Sequence, residues 1–126
     1  MNQSLLVKIC GLSTPATLTA SLDAGADMVG LVFFPASPRH VDLGTARDLA
    51  RLAKGRAQTV ALTVDADDAL LANIVDIMRP DILQLHGHES IARVRDIKQQ
   101  FGVPVMKVPR PCWASMMPSR ASRSTA

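Results

Sequence analysis

The sequence predicts a parallel α/β protein in which short strands alternate with helices. Five apolar runs of strand length are rich in Val, Ile, Leu or Phe, and segments of helical periodicity separate them. The runs begin near residues 5, 28, 57, 81 and 103, so each strand follows the previous one after 22 to 29 residues. Regular β-then-α units of this length are typical of right-handed crossovers between parallel strands.

The five predicted strands are bounded by residues that favour turns, namely Gly, Pro, Asp or Ser. The second run is apolar on both faces, as a parallel strand covered on both sides would be. The predicted strands are Leu5–Ile9, Met28–Phe34, Ala57–Thr63, Asp81–Leu85 and Val103–Lys107.

Each predicted helix combines an apolar stripe with a start or stop signal. The start signals are Thr14 with Pro15 for the first helix, Asp42 for the second, and Asp65 with Asp67 and Asp68 for the third. The stop signals are Gly25, Gly55, Arg79 with Pro80, and Gly102. The stripes are Leu18 and Leu22, then Leu43, Ala46, Ala50 and Ala53, then Leu71, Ile74, Val75 and Met78, and finally Ile91, Val94, Ile97 and Phe101.

Two architectures use such units, and the residues alone leave both open. A doubly wound domain of five strands fits a chain of 126 residues. A closed barrel of eight strands needs roughly 250 residues, or somewhat over 200 when compact. Length alone therefore favours the doubly wound sheet.

Composition favours a globular, cytoplasmic protein without a membrane span. The chain is 48% hydrophobic and 20% charged, which are ordinary values. Its longest apolar run, Met28–Ala36, is about half of what a bilayer requires. The amino terminus has no basic and apolar leader pattern, so we expect no signal peptide. Cys10 and Cys112 give no disulfide framework, which is consistent with a reducing compartment.

The net charge of +3 comes from the end of the chain. Residues 1–107 contain as many basic as acidic side chains, whereas residues 108–126 contain Arg110, Arg120 and Arg123 and no acid. The body lacks the basic surface that nucleic acids require. Residues 108–126 are rich in Pro and Ser and show no periodicity, so we predict a disordered tail, with a targeting role as the alternative.

Candidate chemistry is expected at the carboxyl ends of the strands, where parallel folds collect their sites. One face would then carry a thiol, a guanidinium, a carboxylate, an imidazole and an ammonium group. Such a set suits an anionic small substrate and proton transfer. The side chains are Cys10, Arg39 in Ser37-Pro38-Arg39, Asp65, His86 and Lys107.

Each of these residues also has a purely structural interpretation. Cys10 could be a small buried hydrophobe, Arg39 a solvated loop cation, and His86 a partner for loop carbonyls. His86 and His88 resemble a metal pair but lack a third ligand at useful spacing. The acids Asp65, Asp67 and Asp68 are explained by helix capping better than by a cation site. Glycine-rich phosphate motifs are missing.

Several stretches together resemble the phosphoribosylanthranilate isomerase family, which is built on a (β/α)₈ barrel. They are Val7–Leu12, Ala24–Asp27 with Gly30–Phe33, Ser37–Arg39, and Asp81–Gly87. The motifs Lys-Ile-Cys-Gly, Ser-Pro-Arg and Gln-Leu-His-Gly occur in the order and spacing of that family. The resemblance covers residues 5 to about 107.

The resemblance implies an Amadori rearrangement of N-(5′-phosphoribosyl)anthranilate in tryptophan biosynthesis, with no cofactor and no metal. By resemblance Cys10 is the general base, and a thiol can act so when nearby cations such as Lys8 favour its ionisation. Arg39 would hold the anthranilate carboxylate with its fork of donors. Lys8 and His86 would line the same pocket and bind substrate.

The chain departs from the family beyond its fifth strand. The family's general acid lies on a sixth strand and its phosphate site follows strands 7 and 8. We therefore expect residues 1–107 to be the first four and a half units of a barrel, and residues 108–126 to be a foreign or out-of-frame end. Open sheet edges would favour association with another copy. Activity of the isolated chain is expected to be weak or absent.

Two other functions are also consistent with the sequence. A complete doubly wound domain would bind a small ligand and would need a strand order that reverses at a switch point. A half-barrel without catalysis would act as an interaction module, and substitution of Cys10 would then cause no defect.

Overall fold

The computed structural model describes residues 6–108, which form five strands alternating with four helices. The strands are β1 (Lys8–Cys10), β2 (Met28–Phe33), β3 (Gln58–Thr63), β4 (Ile82–Leu85) and β5 (Val105–Lys107). The helices are α1 (Pro15–Asp23), α2 (Leu43–Ala53), α3 (Asp68–Ile77) and α4 (Ile91–Phe101). The predicted alternation is confirmed, and the predicted tail at 108–126 lies outside the described residues apart from Val108.

Side-chain caps fix where the four helices begin. In each case the N-cap oxygen accepts a hydrogen bond from the backbone N–H three residues later, which satisfies one of the free donors of the first turn. The caps are Thr14, Asp42, Asp67 and Ser90. The predicted caps Thr14 and Asp42 are confirmed. In the third helix Asp67 is the cap, whereas Asp65 lies in the preceding loop with φ of +50°.

A left-handed residue stands at or just after the carboxyl end of each described helix. This residue is glycine except after α3. The backbone is left-handed at Gly25, Gly55 and Gly102, which follow or cap α1, α2 and α4. Glycine takes this conformation without a Cβ penalty. Arg79 holds the same kind of position after α3, with φ of +54°.

All five strands are parallel and lie in the sheet in chain order, β1-β2-β3-β4-β5. A doubly wound sheet reverses its order at a switch point, and this sheet does not. The architecture that length alone favoured is therefore wrong, and the described residues instead form consecutive units of a βα barrel.

The main core lies between the sheet and its helices. Val29, Leu31 and Phe33 alternate along β2 and belong to this core together with Leu83 and Leu85 of β4. The helices contribute the buried side chains of Leu18, Leu49, Leu71, Ile74 and Ile97. The alternating residues on the other face of the sheet include Val60, Leu62 and Val32, which are also buried. Burial on both faces explains the continuous apolar runs in the sequence.

Candidate functional site

Cys10 is the last residue of β1, and it is exposed. The strand register pairs Cys10 with Gly30 of β2. A Cβ built on Gly30 would lie 3.0 Å from the Cys10 Sγ, so the glycine leaves the space that the thiol occupies. The interpretation of Cys10 as a buried hydrophobe is therefore wrong, because its side chain reaches solvent at the carboxyl end of the strand.

Arg39 folds back over the backbone that follows Cys10. A Cβ built on Gly11 would lie 2.4 Å from the Arg39 Cδ and 3.2 Å from its Nε, and Gly11 has φ of +83°. The loop is held by the Ser37 Oγ, which accepts from the Arg39 backbone N–H at 3.1 Å, and by a bridge between Val32 and His40. The loop after β2 thus brings the guanidinium stem against the end of β1.

Lys8 and Gln84 meet across the inner face of the sheet. The Lys8 Nζ donates a hydrogen bond to the Gln84 Oε1, although β2 and β3 lie between their strands. Gln84 is buried, and Lys8 lies two residues before Cys10 on the same face of β1. The predicted substrate-binding residue Lys8 therefore lies nearer than the thiol to the amino ends of the strands. Its side chain projects toward the interior of the curved sheet.

His86 directly follows β4 at the same end of the sheet as Cys10. Its backbone N–H donates to the Thr63 carbonyl oxygen at 2.9 Å, which continues the strand ladder by one residue. Alternation along the strand places His86 on the face that carries Gln84. The His86 Nδ1 is buried and has no hydrogen-bond partner within residues 6–108.

Asp65 and Lys107 were also predicted at this end of the sheet. Both side chains contact neighbouring loops. The Asp65 Oδ1 accepts from the His88 backbone N–H at 2.7 Å, and its Oδ2 lies 3.3 Å from the His88 Nδ1. The Lys107 Nζ donates to the Gly87 carbonyl oxygen at 2.6 Å and to the Glu89 Oε1 at 2.8 Å. Both groups therefore brace the β3–α3 and β4–α4 loops.

Glu89 is a central residue of this end that the sequence patterns did not single out. Its side chain is only 3% exposed. Burial by itself would raise the pKa of the Glu89 carboxyl, but hydrogen bonds from Lys107 and from backbone N–H groups outweigh burial and lower the pKa from its ordinary value of 4.5. A lone Glu before a helix start gives no sequence signal for such a role, because its partners come from other units.

The acids after β3 have separate structural tasks. Asp67 caps α3, as capping predicted, and Asp68 forms an ion pair with Arg93 of α4 at 2.6 Å. Over residues 6–108, no group of three or more His, Cys, Asp or Glu side chains is placed to hold a metal ion. Cys112 lies outside the described residues. None of the described helices is long and apolar enough to cross a membrane.

A cavity of about 600 Å³ lies at the opposite end of the strands from these residues. Its walls include Thr59 near the start of β3, Asp81 just before β4, and Arg51, Lys54 and Arg79 at or beyond the carboxyl ends of α2 and α3. The cations there lie where helix dipoles are negative, which accounts for their presence. The cavity contains none of the predicted site residues.

The fold and the position of these side chains define a βα-barrel protein with its polar groups at the carboxyl ends of the strands. The family model described as N-(5′phosphoribosyl)anthranilate (PRA) isomerase matches residues 7–112. The chain belongs to this family.

Relatives and solved structures agree with the family assignment. The N-(5′-phosphoribosyl)anthranilate isomerase of Bradyrhizobium sp. (strain ORS 278) is 73% identical over 104 residues, which are 82% of this chain and 48% of the relative. The isomerase structure from Thermotoga maritima has a TM-score of 0.77 and 29% identity, and the match covers 82% of this chain and 50% of that one. Another isomerase structure, solved in complex with reduced 1-(o-carboxyphenylamino)-1-deoxyribulose 5-phosphate, also has a TM-score of 0.77 and 29% identity over 82% and 53%. The chain spans about half the length of the curated relatives it matches.

Proposed function

We propose that this chain carries the base and carboxylate-binding half of an active site that isomerises N-(5′-phosphoribosyl)anthranilate. The observation that carries the proposal is the contact of Arg39 with Gly11, the residue that follows the exposed Cys10 at the end of β1. A cation and a thiol at one strand end suit a substrate with a carboxylate near the carbon that loses a proton.

The reaction assigns a different task to each residue. Protonation of the ribose ring oxygen breaks its bond to C1 and gives a Schiff base. The Cys10 thiolate then takes the C2 proton, the electron pair forms an enolamine, and tautomerisation gives the ketone. Arg39 holds the anthranilate carboxylate, while Lys8 and His86 line the pocket below and opposite the thiol.

The proton for the ring oxygen comes, by the family resemblance, from an acid on a sixth strand. The described residues contain five strands, and their carboxylates at this end are engaged by backbone N–H groups, His88, Arg93 or Lys107. General acid catalysis contributes about 10²–10⁴ in rate. We therefore expect the chain alone to turn over very slowly.

The substrate's chemistry needs no metal or organic cofactor, because its steps are proton transfers, the first of them coupled to cleavage of the bond between the ring oxygen and C1. The proposal includes a phosphosugar-anthranilate as the small-molecule partner, a cytoplasmic location for its biosynthetic use, and no nucleic acid or membrane partner. Pairing of β1 or β5 with another copy stays a prediction, since each of these strands has one neighbour in the described sheet.

Growth of a tryptophan auxotroph that lacks this isomerase tests the proposal. Three genes are compared: the chain itself, residues 1–107 joined to the remaining half of the Bradyrhizobium relative, and the joined form with Cys10→Ser. We expect growth from the joined form only. Equal growth of the Cys10→Ser form would overturn the role of the thiol and would favour a non-catalytic interaction module.

A further inference from the structure

We propose that Glu89 is a positioning residue that holds His86 at the substrate-binding end of the sheet. This inference rests on the proposed function, because it gives His86 a fixed place in the same pocket. Glu89 touches no expected substrate group and acts through the loop that carries the imidazole.

Three elements converge on the Glu89 carboxylate. Its Oε2 accepts from the Asp65 backbone N–H at 2.9 Å, in the loop after β3. Its Oε1 accepts from the Gly87 backbone N–H at 2.9 Å, in the loop after β4, and from the Lys107 Nζ at 2.8 Å, at the end of β5. One carboxylate thereby links three successive βα units just beyond the strands.

Close packing restricts the loop further. A Cβ built on Gly87 would lie 2.6 Å from the Asp65 Cγ and 2.7 Å from its backbone nitrogen, so the two loops touch at a glycine. The Lys107 Nζ also donates to the Gly87 carbonyl oxygen. Both polar backbone groups of Gly87 are thus bound to the Glu89–Lys107 pair, and Gly87 is the residue that follows His86.

The charge on Glu89 matters because the side chain is almost fully buried. A buried carboxylate with a paired ammonium and two N–H donors forms charge-assisted hydrogen bonds, which are about twice as strong as neutral ones. Gln at this position keeps the shape but offers one neutral oxygen in place of two charged ones. The loop should then open more often and release the His86 ring from its position.

Precise placement of His86 has a catalytic consequence. Displacement of a pocket group by about 1 Å can cost on the order of 10²-fold in rate. A carboxylate outside the pocket can therefore govern the pocket's geometry without contacting the substrate.

The test uses the chain itself and does not depend on turnover. Amide hydrogen exchange and the His86 ring signals are measured by NMR in the wild type and in Glu89→Gln. We expect the Asp65 and Gly87 amides to exchange about tenfold faster in Glu89→Gln. The His86 ring signals should move while those of His40, on the loop after β2, stay in place.

Asp68→Asn is the matched control, since it removes the ion pair to Arg93 between α3 and α4 but leaves the Glu89 contacts intact. Lys107→Met provides a second test of the same pair if Glu89→Gln fails to fold, and it should reproduce the exchange and the ring shift. Unchanged His86 ring signals in these variants, or equal shifts in Asp68→Asn, would overturn the proposal. These experiments do not measure activity. Failure of the Glu89 proposal is therefore distinguishable from failure of the isomerase assignment.

Discussion

The Lys8 Nζ of β1 donates a hydrogen bond to the Gln84 Oε1 of β4, across two intervening strands. Neighbouring strands lie about 4.8 Å apart, so a flat sheet would separate β1 from β4 by roughly 14 Å. A lysine and a glutamine on one face reach each other only when the sheet is strongly curved. The contact therefore identifies the inner face of a barrel wall, and Val60 and Leu62 of β3 are buried on this face.

Removing the cation from this contact should destabilise the fold. Lys8→Met leaves the buried Gln84 amide without its partner, and an unsatisfied buried polar group costs about 1–3 kcal/mol. Urea unfolding of the variant measures the loss. Lys8→Met combined with Gln84→Leu is the control, because replacing both partners should restore part of the stability. A double variant less stable than Lys8→Met would contradict this account.

Gly11→Ala should displace Arg39 in addition to straining the backbone. The left-handed conformation costs an L residue roughly 1–2 kcal/mol, and the new methyl would lie 2.4 Å from the Arg39 Cδ. Gly55→Ala is the matched control, since it has φ of +82° and nothing within 4 Å. Both variants should lose similar stability in urea unfolding. Only Gly11→Ala should raise the KM of the joined, full-length form, and equal KM values would count against the assigned role of Arg39.

The stabilising effect of Glu89 should disappear in acid. Its pKa in the folded chain is lower than the ordinary value of 4.5, so the ionised form favours folding. The contribution is complete above the unfolded pKa and is lost as the pH falls through the folded pKa, because the unfolded chain then binds the proton first. The difference in unfolding free energy between wild type and Glu89→Gln should therefore shrink below about pH 4.5. A difference that grows toward low pH would refute the assignment.

Arg79→Gly should stabilise the chain. Arg79 occupies the left-handed position after α3 that glycine holds next to the other three helices. Relief of this backbone conformation should contribute about 1 kcal/mol, offset in part by the greater freedom of glycine in the unfolded chain and by loss of the cation at the negative end of the α3 dipole. Thermal unfolding would show a higher Tm, with Arg79→Ala as the control that retains a Cβ. An equal Tm gain in Arg79→Ala would assign the effect to charge instead.

Local features of the fold were predictable because their causes lie close together in the chain. Thr14, Asp42 and Gly102 specify helix ends through contacts with residues three or four positions away. The strand runs were recognisable because both faces of β2 are buried. Strand boundaries agree with the prediction or differ by at most three residues, and β1 begins at Lys8.

Features that depend on distant contacts were not predictable from the residues alone. The curvature of the sheet depends on a contact between residues 76 positions apart, and chain length alone pointed to the wrong architecture. The role of Glu89 depends on Asp65 and Lys107, which are 24 and 18 positions away. The motifs around Cys10, Arg39 and His86 identified the family, but no periodic pattern marks the carboxylate behind them.

The agreement between strand order and chain order has a consequence for how the protein is made. Each new strand that leaves the ribosome finds its only earlier neighbour already synthesised, one βα unit before it. Docking then requires closure of a loop of some 20 to 30 residues, which is entropically cheap and fast compared with pairing between distant segments. The sheet can therefore assemble during translation, strand by strand, from the amino end.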